Sequence, residues 1–480
     1  MAFFNDYKEN IIMTFSYKYR IAFGAWINDM RNEPLPLQNW PAPQLDDETV
    51  NSVIRAMNVQ SQAGINMLDA WGIFATYGYP PDIESVFSDK DRRVMIDRIF
   101  KAADERGMKI IFGMGLFTWG YDKIIEHNPE VRGKDTSGNP HPHAMCGAKE
   151  RAWEYIEKIL DSALSNFNFG GVHLESADLG WCSCPECAGK YGVVGYNVRL
   201  NIRAANYIKS NWPDKIITAI PINWLPTSDG RWHFTEEEKE HLVQLSKHIN
   251  CLMDQGWNQP FIQDNERKEF IQRLHSDYGT SGGLWLYPDV RWDRSSYFLP
   301  YTKRTVNAIK RYYEDGARGC MFYQGPVSNP STELNIAVGG RILADTTRSL
   351  EDILSEVIEI YYKPKSADAS QKLMEIFLRS EDAYFGQWSE ERLGRFPGEF
   401  KLSTLWGTSS GAALYLMEPY LNADGRQNYK TALISILDDL QKIENRFVDE
   451  GRLAKIKKGI IITLNLINTI RACKNEPWQD

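Results

Sequence analysis

Two carboxyl groups lie three residues apart in one segment of the sequence, and they are its sharpest chemical feature. The segment at 170–178 reads GGVHLESAD and places Glu175 and Asp178 at the end of a short apolar run. Hydrolysis of a glycosidic bond commonly uses two carboxyl groups, one as the acid and the other as the nucleophile or base. We therefore take Asp178 as the candidate general acid and Glu175 as the second catalytic carboxylate, with exchangeable roles. The alternative is that one of them only caps the following turn or pairs with an arginine.

Three cysteines follow this segment in the hexapeptide CSCPEC at 182–187, and thiolates at this density match a zinc knuckle. A tetrahedral site needs a fourth ligand, which Cys146 should supply because the loops after the third and fourth predicted strands lie side by side. His141 and His143 are alternative ligands, and reduced thiols or a disulfide are alternative states of the cluster. The predicted structural Zn site comprises Cys146, Cys182, Cys184 and Cys187. A site of four cysteines is closed, so we expect no cofactor to be required for catalysis.

Eight short apolar runs are typical of buried parallel strands, because they lack the alternation of a half-exposed strand. They are residues 20–27, 65–72, 109–117, 171–177, 216–224, 250–257, 283–289 and 319–324. Helical patterns separate them, at residues 47–63, 89–106, 149–166, 198–211, 235–247, 265–277, 300–315 and 332–345. Eight strand–helix units in order predict the α/β class and a (β/α)8 TIM barrel over residues 18–346, after an N-terminal extension of residues 1–17. A doubly wound open sheet is the alternative, although no glycine-rich phosphate-binding motif follows any of the runs.

The pattern changes after the eighth unit. Ser349, followed by Asp352 at the third helical position, predicts the start of a helix. Further helical patterns follow at residues 372–385, 402–417, 429–450 and 452–473, with no strand-like run between them. The sequence therefore predicts a C-terminal all-helical domain over residues 347–480 that packs on the barrel.

The active site of such a barrel lies where the strands end, so residues at those ends are candidates for substrate binding. Aromatic rings there would stack on the faces of a sugar ring, while carboxylates and amides would bind its hydroxyl groups. The candidates are Trp26, Asp29, Trp119, His143, Trp224, Asp254, Tyr287 and Asp289. For any single tryptophan, packing in the core is the alternative. His143 belongs to a stretch at 128–147 with little helical or strand pattern, and a loop of this length in a compact domain is usually functional or disordered.

The fourth predicted strand resembles the corresponding segment of hexosaminidase-type (β/α)8 glycosidases, which reads roughly H-x-G-G-D-E. When the two are aligned on His173, the acidic pair of that family falls on Ala177 and Asp178. The chain is more similar to an uncharacterised bacterial domain family grouped with the glycoside hydrolases. That likeness rests on a strand-end aspartate followed by C-x-C-x-x-C, on residues 316–324 and on the run LEDILSEVIEIYYKP at 350–364. Both resemblances imply a barrel fold and glycoside hydrolysis.

Composition narrows the range of partners. The chain has 55 Lys and Arg against 63 Asp and Glu, a net charge of −8, which disfavours nucleic acids and anionic membranes because both attract a basic face. No run of about 18 apolar residues suits a membrane-spanning helix. Asp6, Lys8 and Glu9 interrupt the apolar stretch that a signal peptide needs. We expect a cytoplasmic protein with a carbohydrate substrate, and a homodimer contact through the helical domain is an open expectation.

The predicted function is an exo-acting glycoside hydrolase that cleaves a small oligosaccharide or glycoside. A sugar lyase, epimerase or isomerase on the same barrel is one alternative, and it would depend on His143 more than on Glu175. A non-catalytic carbohydrate-binding protein is another, and it would explain why Ala177 stands where the resembling glycosidases have an acid.

Overall fold

The computed structural model describes residues 16–24, 45–70, 90–118, 120–177, 180–222, 234–255, 264–281, 298–323, 327–386 and 423–472. Within these residues the strands are β1 Tyr19–Gly24, β2 Met67–Ala70, β3 Lys109–Leu116, β4 Arg132–Lys134, β5 Pro140–Met145, β6 Gly171–Ser176, β7 Ile216–Ile220, β8 Cys251–Gln255, β9 Asp277–Ser281 and β10 Gly319–Tyr323. The α-helices are α1 Asp47–Gln62, α2 Lys90–Asp104, α3 Asp122–His127, α4 Glu150–Asn166, α5 Ala188–Asn211, α6 Glu236–Ser246, α7 Asp264–Arg273, α8 Thr302–Asp315, α9 Pro330–Ala344, α10 Leu350–Tyr361, α11 Ala367–Phe385, α12 Ala423–Ile443 and α13 Glu450–Ala472.

Eight of these strands close into a barrel, in the spatial order β1-β10-β9-β8-β7-β6-β3-β2. Neighbouring strands run parallel, including β1 and β2, which complete the ring. The other two strands, β4 and β5, form a separate antiparallel pair. The ring confirms the predicted (β/α)8 barrel and excludes the open sheet, because a closed ring has no edge strand.

A hydrophobic layer lies between the strands and the helices. Val172 and Leu174, on the outer face of β6, are fully buried, as are Ile156 and Leu160 on α4. Burial of an aliphatic side chain of this size stabilises the fold by about 1.5–3 kcal/mol. This layer fixes the helices on the barrel, so the strand ends become a rigid platform for side chains.

The pairing register shows which side chains face the interior of the barrel, here called the lumen. The ring centroids of Phe23 on β1 and His173 on β6 lie 6.4 Å apart although these strands are not neighbours, so both rings point into the lumen. Side chains alternate along a strand, so Glu175, two residues after His173, faces the lumen too. On the neighbouring strand β3, Gly113 pairs with His173 and Gly115 pairs with Glu175. Because glycine has no side chain, β3 places no side chain beside His173 and Glu175 in the lumen.

The seventh barrel strand is not where the apolar pattern predicted it. It is β9, Asp277–Ser281, rather than residues 283–289, and the preceding helix ends at Arg273 rather than at residue 277. The sequence DYGTS lacks an apolar run because glycine fills a lumen-facing position, where a Cβ on Gly279 would lie 2.4 Å from Sδ of Met253. Residues 283–289 lie outside the described part of the chain.

The stretch at 128–147 contains regular structure that the sequence pattern did not predict. Strands β4 and β5 form a hairpin, here called the rim hairpin, whose turn is stabilised by Asp135. Oδ1 of Asp135 accepts hydrogen bonds from the backbone N–H groups of Ser137 and Asn139, at 2.9 and 2.8 Å. Gly138 supplies a positive φ of 85°. The residues DTSGN are themselves a turn signal, so the hairpin was readable from the turn but not from its short strands.

The C-terminal helices begin as predicted, since Oγ of Ser349 accepts a hydrogen bond of 3.0 Å from the backbone N–H of Asp352. A buried carboxylate joins them to the barrel helices. Glu381 on α11 accepts hydrogen bonds from the backbone N–H groups of Lys303 and Arg304, in the first turn of α8. The predicted helix at 402–417 lies outside the described residues, and the domain division after residue 346 stays a prediction. No helix within the described ranges combines the length and apolar character needed to cross a membrane.

Candidate active site

Glu175 lies near the carboxyl end of the fourth barrel strand, where the active site of this fold is expected. It is the fifth residue of β6, and its side chain is buried on the lumen face. His173 lies two residues before Glu175 on the same face of β6, and its Nδ1 is 2.7 Å from Oγ1 of Thr218. Burial lowers the pKa of His173 to about 3, so this imidazole is neutral at physiological pH. Glu175 is therefore the acidic group that β6 presents to the lumen.

The chain turns sharply after β6. Ala177 and Gly180 both have positive φ, 66° and 93°. The backbone N–H of Gly180 donates a hydrogen bond to the carbonyl of Ala177 at 3.2 Å. A non-glycine residue in the left-handed region costs on the order of 1–3 kcal/mol, and such strain concentrates at functional sites. The strain at Ala177 marks the segment that follows Glu175 as a functional candidate.

Seven predicted site residues lie outside the described part of the chain. They are Trp26, Asp29, Trp119, Asp178, Trp224, Tyr287 and Asp289. Their roles stay predictions. Tyr287 and Asp289 follow the last residue of β9 by six and eight positions in the sequence.

His143 forms a pair with an aspartate that the sequence analysis did not single out. Its Nδ1 lies 2.6 Å from Oδ1 of Asp122, the first residue of α3, and both side chains are about half exposed. A carboxylate at Nδ1 favours a proton there and leaves Nε2 as the ring atom that can exchange a proton. The pair can therefore bind a hydroxyl group or transfer a proton. Asp122 follows the third barrel strand closely, but a long-range pair of this kind has no sequence signal.

His141 has the opposite tautomer to the one that Asp122 favours in His143. Its Nδ1 accepts hydrogen bonds from the backbone N–H groups of His143 and Ala144, at 3.1 and 2.9 Å. The neutral ring must then carry its proton on Nε2. Burial lowers the pKa of His141, so the ring stays neutral.

The four predicted cysteines come together at one end of the rim hairpin. Their Sγ atoms all lie within 4.8 Å of one another, and Sγ of Cys146 lies 3.8 Å from that of Cys184 and 3.6 Å from that of Cys187. None of the cysteines in the described ranges forms a disulfide. Hydrogen bonds among the thiols lower the pKa of Cys182 and raise the pKa values of Cys146 and Cys187, so the three groups are electrostatically coupled. Four sulfur atoms at this spacing can surround one tetrahedral metal ion.

The cysteine cluster also joins the rim hairpin to the loop after β6. The backbone N–H of Ser183 donates to the carbonyl of Lys134 at 2.7 Å, and that of Lys134 to Sγ of Cys182 at 3.4 Å. Gly133 fits tightly beneath them, since a Cβ there would lie 3.0 Å from Cβ of Cys182. The hairpin and the loop therefore form one packed unit at the rim.

Asp254, a predicted substrate ligand, does not share the lumen with Glu175. It pairs in register with Thr280, on the face of β8 opposite to that of Met253, and it is fully buried. The hydroxyl group of Tyr278 donates to its carboxylate. Burial raises the pKa of Asp254 to about 7. Its binding role stays a prediction, and the contact with Tyr278 gives it a structural one.

Asp69 is a lumen carboxyl group that the sequence analysis missed. It pairs in register with Phe23 and therefore shares the lumen face, and it is fully buried. Neither carboxylate oxygen has a hydrogen-bond partner in the described part of the chain. Burial raises the pKa of Asp69 well above its usual range, because the charged form of the carboxyl group is poorly solvated in the lumen. An acidic residue inside a predicted buried strand was the signal that could have found it.

No protein-family model and no curated protein matches the sequence. Solved structures are similar over nearly the whole chain. The O-GlcNAc hydrolase of Thermobaculum terrenum, solved as a mutant, shares 10% identity at a TM-score of 0.51, over 96% of this chain and 86% of that one. BtGH115A, a family GH115 4-O-methyl-α-glucuronidase with specificity for decorated arabinogalactans, shares 11% identity at a TM-score of 0.55, over 95% of this chain and 55% of that one. At such low identity these similarities show that the fold is shared.

Proposed function

We propose that this protein is an exo-acting glycoside hydrolase that cleaves a small oligosaccharide or glycoside. The observation that supports the proposal is the position of Glu175, which lies on the lumen face near the carboxyl end of the fourth barrel strand, two residues before Ala177 with its positive φ. Both similar structures reported above are named as hydrolases of sugar derivatives, which adds support at the level of the reaction.

Asp178 is the proposed general acid, and Glu175 is the second carboxylate, acting as nucleophile or base. Asp178 follows Glu175 by three residues and the last residue of β6 by two, and this closeness along the chain to the carboxyl end of β6 supports its assignment. The remaining sugar contacts are assigned to the predicted rim residues Trp26, Asp29, Trp119, Trp224, Tyr287 and Asp289, together with His143.

Substitution of the two carboxylates tests this assignment. Asp178→Asn and Glu175→Gln should each lower kcat by several orders of magnitude on the best aryl glycoside, because each removes a group that transfers a proton or stabilises charge in the transition state. Glu130→Gln is the matched control, since Glu130 is an exposed acidic residue just before the rim hairpin. Near-wild-type turnover in both carboxylate variants would refute the assignment.

A sugar lyase, epimerase or isomerase is the second candidate, and the pair formed by His143 and Asp122 favours it. Such an enzyme needs a base at the rim, and His143 Nε2 would serve as one. In that case His143→Asn would abolish activity while Glu175→Gln would leave most of it. The converse result supports the hydrolase.

The cysteine cluster is proposed to bind one structural Zn²⁺ through Cys146, Cys182, Cys184 and Cys187. The four-sulfur donor set fits this metal, which would hold the rim hairpin to the loop after β6 without touching substrate. Protein purified without chelator should contain close to one equivalent of zinc. Less than about 0.2 equivalents, with all thiols titratable, would contradict the site. Free thiols in the cluster would be consistent with the predicted cytoplasmic location.

The predicted homodimer is a separate expectation, which sedimentation would test.

A further inference from the structure

Asp69 and Glu175 occupy equivalent places on two strands of the barrel. Each is the second-to-last residue of its strand, β2 for Asp69 and β6 for Glu175. Asp69 faces the lumen because it pairs in register with Phe23, whose ring centroid lies 6.4 Å from that of His173. The strands of the ring run parallel, so their carboxyl ends meet at one end of the barrel. The two carboxyl groups therefore point into the same end of the lumen.

One strand, β3, lies between β2 and β6 in the ring, and it contributes little bulk to this end of the lumen. Ile111 on β3 pairs in register with Asp69. The next two lumen positions towards the carboxyl end of β3 are Gly113 and Gly115, and Gly115 pairs with Glu175. Glycine inside a strand often marks a place where a ligand approaches the backbone closely. Between the levels of the two acids, β3 therefore presents only backbone to the lumen.

The carboxyl group of Asp69 has hydrogen-bonding capacity that the described residues do not use. It is fully buried, and neither of its oxygens has a hydrogen-bond partner among those residues. Glu381 is buried to the same degree, but it accepts hydrogen bonds from the backbone N–H groups of Lys303 and Arg304 and from the hydroxyl group of Thr302. Both oxygens of Asp69 are thus available to accept hydrogen bonds from a ligand in the lumen.

The surroundings of Asp69 indicate which kind of ligand would bind there. Its two register partners are apolar, Phe23 and Ile111. Apolar walls with a few polar groups that fix orientation are typical of a small-molecule site. A divalent cation would need several oxygen ligands, which apolar neighbours do not supply. Two neighbouring hydroxyl groups of a sugar ring suit the site better, because they donate two hydrogen bonds that the two oxygens of one carboxylate can accept.

We propose that Asp69 is a specificity-determining residue that accepts hydrogen bonds from two neighbouring hydroxyl groups of the sugar bound at Glu175. This inference rests on the proposed glycoside hydrolase function, and it adds that the reacting sugar carries a vicinal diol. Asp69 orients the ring and transfers no proton. Burial raises its pKa, and the two donated hydrogen bonds would stabilise its charged form when the sugar binds.

Asp69→Leu tests the contact, because leucine has a similar volume and no hydrogen-bonding atom. In the wild type, removal of either contacted hydroxyl group from the best aryl glycoside should lower kcat/KM on the order of 10- to 100-fold, because a hydrogen bond to a charged group is lost. In Asp69→Leu the same removal should change kcat/KM by no more than about twofold, because the partner is already absent. Equal losses in wild type and variant for every monodeoxy analogue would overturn the proposal.

Two further variants guard against a trivial loss of activity. Asp69→Asn retains the shape of the side chain and one acceptor oxygen, so its discrimination against the deoxy analogues should lie between those of the wild type and Asp69→Leu. Its Tm at pH 7 should not fall, so unfolding would not explain the change. Ile111→Val is the matched control, since Ile111 is a buried register partner of Asp69 without polar atoms. It should keep the wild-type discrimination, and wild-type discrimination in Asp69→Asn too would contradict the proposal.

Binding measurements separate this proposal from the proposed function. Methyl α- and β-glycosides of the same sugars can be titrated by isothermal titration calorimetry, which needs no turnover. If the wild type binds one of them but cleaves no glycoside, a fall in affinity on the order of 10- to 100-fold in Asp69→Leu would retain the contact and remove the hydrolase. Wild-type affinity in Asp69→Leu would overturn the contact. Turnover in the wild type with unchanged discrimination in Asp69→Leu would leave the proposed function standing and refute this inference.

Discussion

The buried acidic residues differ in how many hydrogen bonds or ion pairs their carboxylate oxygens form. Oδ2 of Asp254 accepts a hydrogen bond from Tyr278 while its Oδ1 has no hydrogen-bond partner in the described residues, and Asp315 forms a buried ion pair with Arg267. Asp69 is different, because both of its oxygens lack a hydrogen-bond partner in the described ranges although it is fully buried. A buried carboxyl group without hydrogen-bond partners lowers stability most when it is charged, so Asp69 should oppose folding at a pH where it is ionised.

Asp69 should make the stability of the protein depend on pH. Because the pKa of Asp69 is raised in the folded state, its contribution to stability is fully present below about pH 4 and is lost as pH rises towards the folded pKa. We expect Asp69→Asn to increase the free energy of unfolding by about 1–3 kcal/mol at pH 7 and to give little or no increase near pH 4. Urea denaturation at the two pH values measures this difference.

The control for this prediction is Asp104→Asn, because Asp104 is exposed at the end of α2. The control should change stability little at either pH. An Asp69→Asn variant whose stability follows that of the wild type at both pH values would show that the lumen carboxyl group is not held protonated.

At the scale of elements, the site depends on helix and hairpin ends rather than on helix interiors. The rim hairpin is held by the hydrogen bonds of Asp135 in its turn and by the cysteine cluster. The first turn of α8 is capped by the carboxylate of Glu381, which accepts a hydrogen bond from the backbone N–H of Lys303. The sequence predicted the elements whose signal is local, such as the helix that begins after Ser349. It failed for β9 because Gly279 fills a tight place in the lumen, where an apolar side chain would clash with Met253. It also missed Asp122, because its partner is brought near only by the hairpin.

Glu381→Gln should destabilise the fold without changing the chemistry. Glu381 accepts hydrogen bonds from two backbone N–H groups of α8 and from Oγ1 of Thr302, and its carboxylate lies 3.2 Å from Arg304. Replacing it leaves a guanidinium group without its counter-charge and turns an amide N–H₂ towards donors. We expect a loss of about 2–4 kcal/mol in the free energy of unfolding.

Glu375→Gln on the same helix is the control, since Glu375 is exposed. Chemical denaturation of both variants, with kcat measured under native conditions, separates the two effects. A loss below about 1 kcal/mol for Glu381→Gln would show that the cap does not join α11 to the barrel helices.

At the scale of the whole molecule, a closed barrel places the ends of eight strands around one lumen, and the C-terminal helices are fastened to its outside. The apolar runs predicted this architecture because buried parallel strands must be apolar on both faces. They also predicted that Glu175 lies at the rim, since the carboxyl end of the fourth strand belongs to the active-site face. The pattern gave no distance between residues from different strands, because such distances depend on loop geometry that local sequence does not specify.

In the proposed reaction, water cleaves a glycosidic bond with the help of Glu175 and Asp178. The most direct measurement screens the wild-type protein on a broad panel of aryl α- and β-glycosides in isotopically labelled water and determines the mass of the sugar released. A hydrolase should release a free sugar that carries one labelled oxygen at its anomeric carbon, and Glu175→Gln should release none. An unsaturated or isomerised product without the label would refute glycoside hydrolysis and would favour the lyase or isomerase that uses His143.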